Sequence, residues 1–579
     1  MLQRQKKDLG AYYTPSHLSR KLTEIAINQY LTRKINLIYN SKFLSIEEII
    51  SSTVDSSIIE HLNDILTDIK VLDGAAGEGE FLFAALITIY SFRKRIKQKY
   101  EKSFLSSLDL KLEILRNNLF GMEINPEALS KCKRKLISEI PQSYIPSLEK
   151  HLDKNLITGN FLNVLHSKWP FSSSNKGFDI ILGNPPWGGR LIKEEKDFYQ
   201  EKFELKSPKR NLNTFELFVY QASRLLIPSQ GILAYLLPKN ITRSNQYTHL
   251  RKFILNNFQI LLLNFHGLFQ NVTQEFIFLI ALRSHNIPSK HEIFVDDTIY
   301  IPQFMYHSNI DYIFTRTYDL QSQKLVQLIL KDSKPLREFL TIQRGEELSK
   351  KGGLMYCPHC TKWVPLSSRR RDITCSRCLK TLERKDLKIK FIIQTDPDLN
   401  HTQPILTGDD FNTFLISGTH FIDSSIEYHS KKDPEIYLSP KLVVQKIKRI
   451  PCTAYESDNY WTTQNVYNLR LLPEYANQPE LLYYVLAILN SSLIHWYYES
   501  QFNLGSKYTN AISIRNLKRL PIKKPKYDKP IFHQIVQSAR KITEKETANA
   551  LSLHHNNLDQ LVLKYYNCEN FLLPSLHPL

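Results

Sequence analysis

Apolar positions along this chain fall into short unbroken runs, each stopping at glycine, proline or a polar residue, with stretches of helical spacing between them. Val71-Leu72 runs into Asp73-Gly74-Ala75-Ala76-Gly77-Glu78-Gly79, and a helix follows from near Phe81. Leu119-Phe120-Gly121-Met122 ends on Glu123, Ile157-Thr158 ends on Gly159-Asn160-Phe161, and the run 178–183 ends on Asn184-Pro185-Pro186-Trp187. Runs this short, apolar at consecutive positions and cut by turn formers, predict strands covered on both faces. Helical spacing over 18–30 and 213–226 and further strands over 231–239 and 276–282 make the first half an α/β fold, with 34–66 as an irregular or helical insertion. Thr14 is placed to cap the first helix and Pro15 to occupy its first turn. In an open α/β sheet, ligands sit outside the carboxyl ends of the strands, so these four strand ends are where chemistry is expected.

Composition narrows the partners. A chain of 579 residues exceeds what one core holds, so at least two domains are expected. Lys and Arg number 76 against 57 Asp and Glu, a formal charge of +19, which points to a polyanion. Nucleic acid is preferred over a membrane, because no apolar run approaches the roughly 20 residues that spanning needs. The charged amino terminus has no apolar stretch behind it, so a cytoplasmic location is expected. Seven cysteines in a chain of this length do not make a disulfide framework.

The residue types at the strand ends suggest what they bind. The Asn184 side-chain oxygen and the Pro185 carbonyl, held rigid by Pro186, can accept both hydrogens of an exocyclic amine, and Trp187 offers a face to a planar ring. The small residues Ala75, Gly77 and Gly79 after Asp73 let backbone approach a cofactor closely. Glu123, ending the second strand, is placed to take hydrogen bonds from ribose hydroxyls, and Asn160 to meet an adenine amino group with Phe161 beside the ring.

Taken in order, these motifs resemble the adenine-N6 DNA methyltransferases of the γ arrangement, found in restriction-modification systems, with a TaqI-like carboxy-terminal specificity domain. Gly10-Ala11-Tyr12-Tyr13-Thr14-Pro15 looks like the family's amino-terminal cofactor motif, 73–82 like its Asp-Pro-Ala-Cys-Gly-Ser-Gly-x-Phe-Leu loop, Glu123 like its ribose acid and 184–187 like its Asn-Pro-Pro-aromatic motif. The resemblance, over roughly residues 8–566, implies a class I Rossmann-like sheet, S-adenosylmethionine as cofactor, and double-stranded DNA as substrate, with the target adenine flipped out. Tyr13, Thr14, Asp73, Ala75, Gly77, Gly79, Glu123, Ile124, Asn160 and Phe161 are then the expected cofactor residues. Asn184, Pro185, Pro186 and Trp187 are the expected catalytic loop, with Phe269 as a second aromatic against the flipped base. Gly74 and Ala76 replace the family's usual Pro and Cys, Asn160 stands where Asp is common, and Trp187 replaces Tyr or Phe. A methyltransferase acting on RNA or protein glutamine, or a DNA-binding subunit that transfers nothing, are the rival readings.

The second half carries a metal signal. Cys357-Pro358-His359-Cys360 and Cys375-Ser376-Arg377-Cys378 form C-x₂-C, fourteen residues, C-x₂-C, the spacing of two thiolate knuckles around a structural Zn²⁺. His359 lies inside a knuckle and is expected to be exposed. Arg369-Arg370-Arg371 between the pairs, and Lys446, Lys448, Arg449 and Lys507 beyond them, are candidate phosphate or base-edge contacts. Residues 481–498 read as one helix with an aromatic end. The expected domains are a catalytic unit over 1–285, a strand-poor connection over 286–340, an α+β specificity domain over 341–520 with a zinc-ribbon insertion at 355–380, and a helical segment over 521–579. No metal-dependent nuclease core is expected, because Pro434-Glu435 and Lys441 stand too isolated. DNA cleavage, if the system has it, is assigned to a separate endonuclease chain.

Overall fold

The computed structural model describes residues 14–52, 55–100, 106–165, 168–169, 177–188, 191–205, 212–268, 275–315, 320–366, 372–383, 387–502, 511–544 and 548–571. The chain divides into two units, Met1–Arg316 and Thr317–Leu579.

In the first unit, strands β1 (Val71–Asp73), β2 (Leu119–Glu123), β3 (Leu156–Thr158), β4 (Ile180–Gly183), β5 (Ile232–Pro238), β6 (Phe258–Leu268), β7 (Glu275–Arg283), β8 (Glu292–Val295) and β9 (Ile299–Pro302) form one sheet in the order β3-β2-β1-β4-β5-β7-β6-β8-β9. Strands β1 to β5 are parallel, and β7 lies antiparallel between β5 and β6. Every residue of β1, β4 and β5 is buried, the covering on both faces that the apolar runs predict. Helix Ser16–Tyr39 packs against Glu80–Tyr100 and against β5, and the buried Tyr30 hydroxyl donates to Asp179, whose other oxygen accepts from Lys70 N at 2.8 Å. The chain leaves β1 towards β2 and β3 on one side and places β4 and β5 on the other. That reversal falls between β1 and β4, and the carboxyl ends of strands at such a switch point are where open α/β sheets bind ligands.

Two expected boundaries are corrected. Residues 286–340 are not a strand-poor connection, because β8 and β9 extend the sheet and the division falls after Arg316. Both are four-residue strands, Glu-Ile-Phe-Val and Ile-Tyr-Ile-Pro, too short for periodicity to tell them from a loop. Residues 521–579 are not a separate segment either. Pro521–Lys523 pairs with Ser333–Pro335, and the Tyr566 hydroxyl accepts from Lys523 N at 2.8 Å and donates to Pro521 O at 3.0 Å.

The second unit has a four-stranded antiparallel sheet ordered Leu340–Arg344, Val466–Leu471, Lys441–Gln445, Thr453–Glu456. A second sheet is ordered Ile393–Gln394, His420–Ile422, Gln403–Leu406, Trp461–Thr462. Leu406, Phe411, Val443, Ala454 and Val466 form a core cluster shared by the two. The region expected as one helix is two, Glu480–Leu489 and Ser492–Phe502. Asn490 separates them, its side chain accepting from Thr453 N at 3.1 Å and donating to Thr453 O at 2.9 Å, a backbone-like pairing to a strand edge. Lys441 lies fully buried, bonded to Glu456 and to the Tyr437 carbonyl. No helix among the described residues is long and apolar enough to cross a membrane.

Candidate active site

Strands β1 and β4 meet at their ends through a glycine. Gly183 has φ +142°, and a Cβ there would lie 2.7 Å from Asp73 Oδ1, so only glycine lets the Asp73 carboxyl come so near the start of the Asn184 loop. Asp73 is 1 % exposed, its Oδ1 accepts from Ala75 N at 3.0 Å, and burial, with Glu123 adding, pushes its pKa up to about 7. A folded-state pKa above the unfolded value means that the native state keeps this proton between about pH 4 and pH 7. The stability it carries is therefore full below that window and is lost as pH rises through 7. The span from 3.8 to about 7 corresponds to roughly 4 kcal/mol. Denaturant unfolding of Asp73→Asn beside the parent should show the variant escaping most of that loss between pH 5 and pH 8. The same pH dependence in both proteins would contradict the buried-acid assignment.

The Asn184 loop is fastened at both ends. Thr14 does not cap the first helix: Pro15 holds the cap position with no side-chain bond, because Thr14 is 5 % exposed and its hydroxyl accepts from Asn184 Nδ2 at 3.0 Å. This contact joins residues 170 positions apart and holds the Asn184 amide by its Nδ2 against the Thr14 hydroxyl. On the exit side, Gly188 N donates to Asn213 Oδ1 at 3.0 Å. Pro185 is buried, and Asn184 and Pro186 are partly exposed. Trp187 differs from expectation. It is 5 % exposed, its indole folded into the domain where a large aromatic surface is best buried, so its face is not open to solvent.

On the other side of β1, the loop 74–79 turns towards β2. Ala76 N donates to Met122 O at 2.9 Å and Gly77 N to Glu123 Oε2 at 2.8 Å. The other Glu123 oxygen accepts from Asn125 N at 2.9 Å. The carboxylate thus bridges the Gly-rich loop and the turn after β2, and each oxygen keeps lone-pair capacity for a hydroxyl. Gly79 has φ +90° and lies so close to the helix Pro126–Leu136 that a Cβ would meet Cys132 Sγ at 2.7 Å. Ile124 follows with its side chain 58 % exposed at the rim.

The end of β3 departs from expectation. Asn160 Oδ1 accepts from Leu162 N at 3.0 Å and Nδ2 donates to the Tyr199 hydroxyl at 3.2 Å, so the amide is already engaged within the chain. Phe161 is 2 % exposed, its ring tilted 32° against Phe218 with centroids 4.9 Å apart, and it would lie 2.7 Å from a Cβ at Gly74. It walls the loop rather than offering a free face, and Gly74 in place of the family's Pro is what admits it. Tyr199 was missed in the sequence, because one tyrosine in the polar segment 193–202 carries no periodic signal. Tyr13 and Phe269 lie outside the described residues, as do Arg369, Arg370, Arg371 and Lys507.

In the second unit, Cys357, Cys360, Cys375 and Cys378 converge, all four sulfurs within 4.8 Å of one another. Cys357 Sγ lies 3.7 Å from Cys378 Sγ, and Cys360 Sγ 3.8 Å from Cys375 Sγ. Four sulfurs at about 2.3 Å from a central ion would stand about 3.8 Å apart at the corners of a tetrahedron, so the set fits Zn²⁺. Hairpins Gly353–Cys357 with Lys362–Pro365 and Asp372–Thr374 with Thr381–Glu383 present the two pairs, and His359 is exposed. Arg449 is not free for phosphate, since Nε and a terminal nitrogen donate to the two Glu499 oxygens at 2.5 and 2.7 Å.

Comparison with known proteins agrees with this layout. Residues 117–269 match the Eco57I restriction-modification methylase family and residues 403–522 the TaqI-like C-terminal specificity domain. The chain is 27 % identical over 266 residues to the type II restriction enzyme and methyltransferase RM.Eco57I of Escherichia coli, covering 39 % of this chain and 26 % of that protein. It is 26 % identical over 204 residues to the type II methyltransferase M.BstVI of Geobacillus stearothermophilus, covering 34 % of this chain and 33 % of that one. The matched region thus spans a third or less of these relatives. Among solved structures, the type IIL restriction-modification enzyme MmeI in complex with DNA superposes with a TM-score of 0.59 at 12 % identity, over 98 % of this chain and 77 % of that one, a likeness of fold. The chain therefore carries an Eco57I-type restriction-modification methylase domain followed by a TaqI-like C-terminal specificity domain.

Proposed function

We propose that this chain is a site-specific DNA methyltransferase that places a methyl group on adenine N6 in double-stranded DNA, as the modification activity of a restriction-modification or related phage-defence system. The observation that carries the reading is the Asn184 amide, held by Thr14 at the carboxyl end of β4 and set beside the Asp73 loop and Glu123. The loop 74–79 and the Glu123 carboxylate fit S-adenosylmethionine, the first by close backbone approach and the second by accepting from ribose hydroxyls. When bound, that cofactor supplies an electrophilic methyl group.

The chain's own residues do the rest. A base stacked in a duplex cannot reach the crevice, so the adenine is flipped out at a cost of a few kcal/mol. Asn184 Oδ1 and the Pro185 carbonyl accept the two N6 hydrogens and turn the nitrogen lone pair towards the methyl carbon. The work of the site is positioning: transfer to N6 would break the carbon–sulfur bond of the cofactor, leave both of its electrons on sulfur, and release one N6 proton to water. Stacking on Trp187 requires its buried face to be uncovered as the base enters. Likeness to a type II restriction enzyme and methyltransferase and to a type II methyltransferase favours DNA over RNA or protein glutamine.

The four sulfurs would hold a structural zinc, the arrangement of a zinc ribbon. Thr14 acts through Asn184 as a positioning residue. Thr14→Val should lower kcat roughly tenfold, the worth of one hydrogen bond of about 1 to 1.5 kcal/mol, and Thr14→Ser should restore it. Equal kcat in Thr14→Val and the parent would remove that role.

A further inference from the structure

The turn after β3 and the helix Lys193–Lys202 are joined through one tyrosine. Asn160 stands exposed just beyond β3, where Thr158 pairs with Glu123 and Gly159 N donates to Glu123 O at 2.9 Å, so the turn lies beside the carboxylate that ends β2. Leu162 N can only donate, so the Asn160 atom 3.0 Å from it is the oxygen, and Nδ2 is left to donate to the Tyr199 hydroxyl at 3.2 Å. The amide is held at both ends. Tyr199 is itself firmly packed: it is 3 % exposed, its ring lies against Phe203 with planes 21° apart, and Phe203 lies against Tyr220 at 27° with the Arg224 guanidinium 4.9 Å over its ring. Arg224 also donates to Lys202 O at 2.6 Å, and Lys202 Nζ donates to Leu162 O. The helix is thus fastened to the turn that carries Asn160, and the hydroxyl is in place before any ligand arrives.

A carboxylate at position 160 would need no such help, because it presents an acceptor whichever way it turns. A carboxamide presents an acceptor at one end and a donor at the other, and an exposed one turns freely unless both ends are held. Beyond the bonds to Leu162 and Tyr199, Oδ1 has a second lone pair and Nδ2 a second hydrogen. That donor–acceptor pair is the one adenine matches with its 6-amino group and an adjacent ring nitrogen. A purine nucleoside held through its ribose at Glu123 brings its base to this turn, beside the exposed Ile124 side chain.

We propose that Tyr199 is a positioning residue for the cofactor: by holding Asn160 Nδ2 it sets the amide to take the adenine edge of S-adenosylmethionine, and so makes the site discriminate a 6-amino from a 6-oxo purine. The proposal rests on the reading of this site as the S-adenosylmethionine site. The test is calorimetric binding of S-adenosylhomocysteine and of its 6-oxo analogue, S-inosylhomocysteine, to the full chain and to its Tyr199→Phe, Asn160→Ala and doubly substituted variants. Neither compound carries a transferable methyl group, so affinity is measured apart from turnover. The parent should prefer the adenosyl form at least about tenfold, because the 6-oxo ring sets acceptor against acceptor. Tyr199→Phe keeps the stacked ring and should bind the adenosyl form about five- to tenfold more weakly while the inosyl form stays within about twofold, so the preference falls by the same factor. Asn160→Ala, at an exposed position, should abolish the preference, and adding Tyr199→Phe to it should change the adenosyl affinity by less than about twofold, because the tyrosine acts through the amide. Equal weakening of both compounds by Tyr199→Phe, no weakening of either, or a preference that survives Asn160→Ala would overturn the proposal and leave the cofactor reading standing, as would a parent that binds both compounds alike. A parent that binds neither compound would overturn the cofactor reading and the proposal with it.

Discussion

Asn184→Ala is expected to keep S-adenosylmethionine affinity within about twofold of the parent and to lose roughly 10²- to 10³-fold in methyl transfer, the scale seen when one preorganised polar contact at a reacting centre is removed. The asymmetry follows from geometry. The carboxamide lies at the end of β4 and bonds to Thr14, whereas the groups suited to the cofactor lie on the β1 loop and at Glu123. Deleting it leaves the cofactor side of the crevice intact and removes the group that orients N6. Calorimetric cofactor binding together with single-turnover transfer separates the two effects. A variant that transfers at near-parental rate, or that loses cofactor binding in proportion to rate, would show that the amide does something else.

The second large effect is expected from the four cysteines. Elemental analysis should find one zinc per chain, and Cys375→Ser should abolish it. Binding of structural zinc is worth roughly 10 to 16 kcal/mol in small peptides, far more than short hairpins supply for themselves. Among the described residues the buried apolar support around the sulfurs is Met355, Val364 and Ile373, with a few partly buried neighbours, so loss of the ion should unfold the two hairpins. Limited proteolysis of chelator-treated protein should then cut within 355–380 while the first unit stays whole. Metal-free protein that resists cleavage there would contradict a structural ion.

The site was legible in the sequence where burial is complete. Strands β1, β2, β4 and β5 are nearly continuous apolar runs because both faces are covered, and the residue that ends each run necessarily sits at a carboxyl edge. Asp73, Glu123 and Asn184 could be placed that way, and the cysteine knuckles by spacing alone. What escaped depends on contacts between distant residues. Nothing local distinguishes Thr14 as a partner of Asn184 from Thr14 as a helix cap, since both roles use the same hydroxyl. Nothing local marks Arg449 as the partner of Glu499, fifty positions on. Trp187 and Phe161 were read as open aromatic faces, but a flat ring next to a loop is as readily buried beneath it, and both are. Strands β8 and β9 escaped because each is only four residues long, and an apolar run that short carries too little periodicity to mark it as a strand.

Long-read modification sequencing of DNA from cells expressing the parent chain, beside cells expressing Asn184→Ala, tests the central claim most directly. The account predicts N6-methyladenine at one short motif with the parent and none at that motif with the variant. An unmodified genome, or the same marks in both, would contradict it.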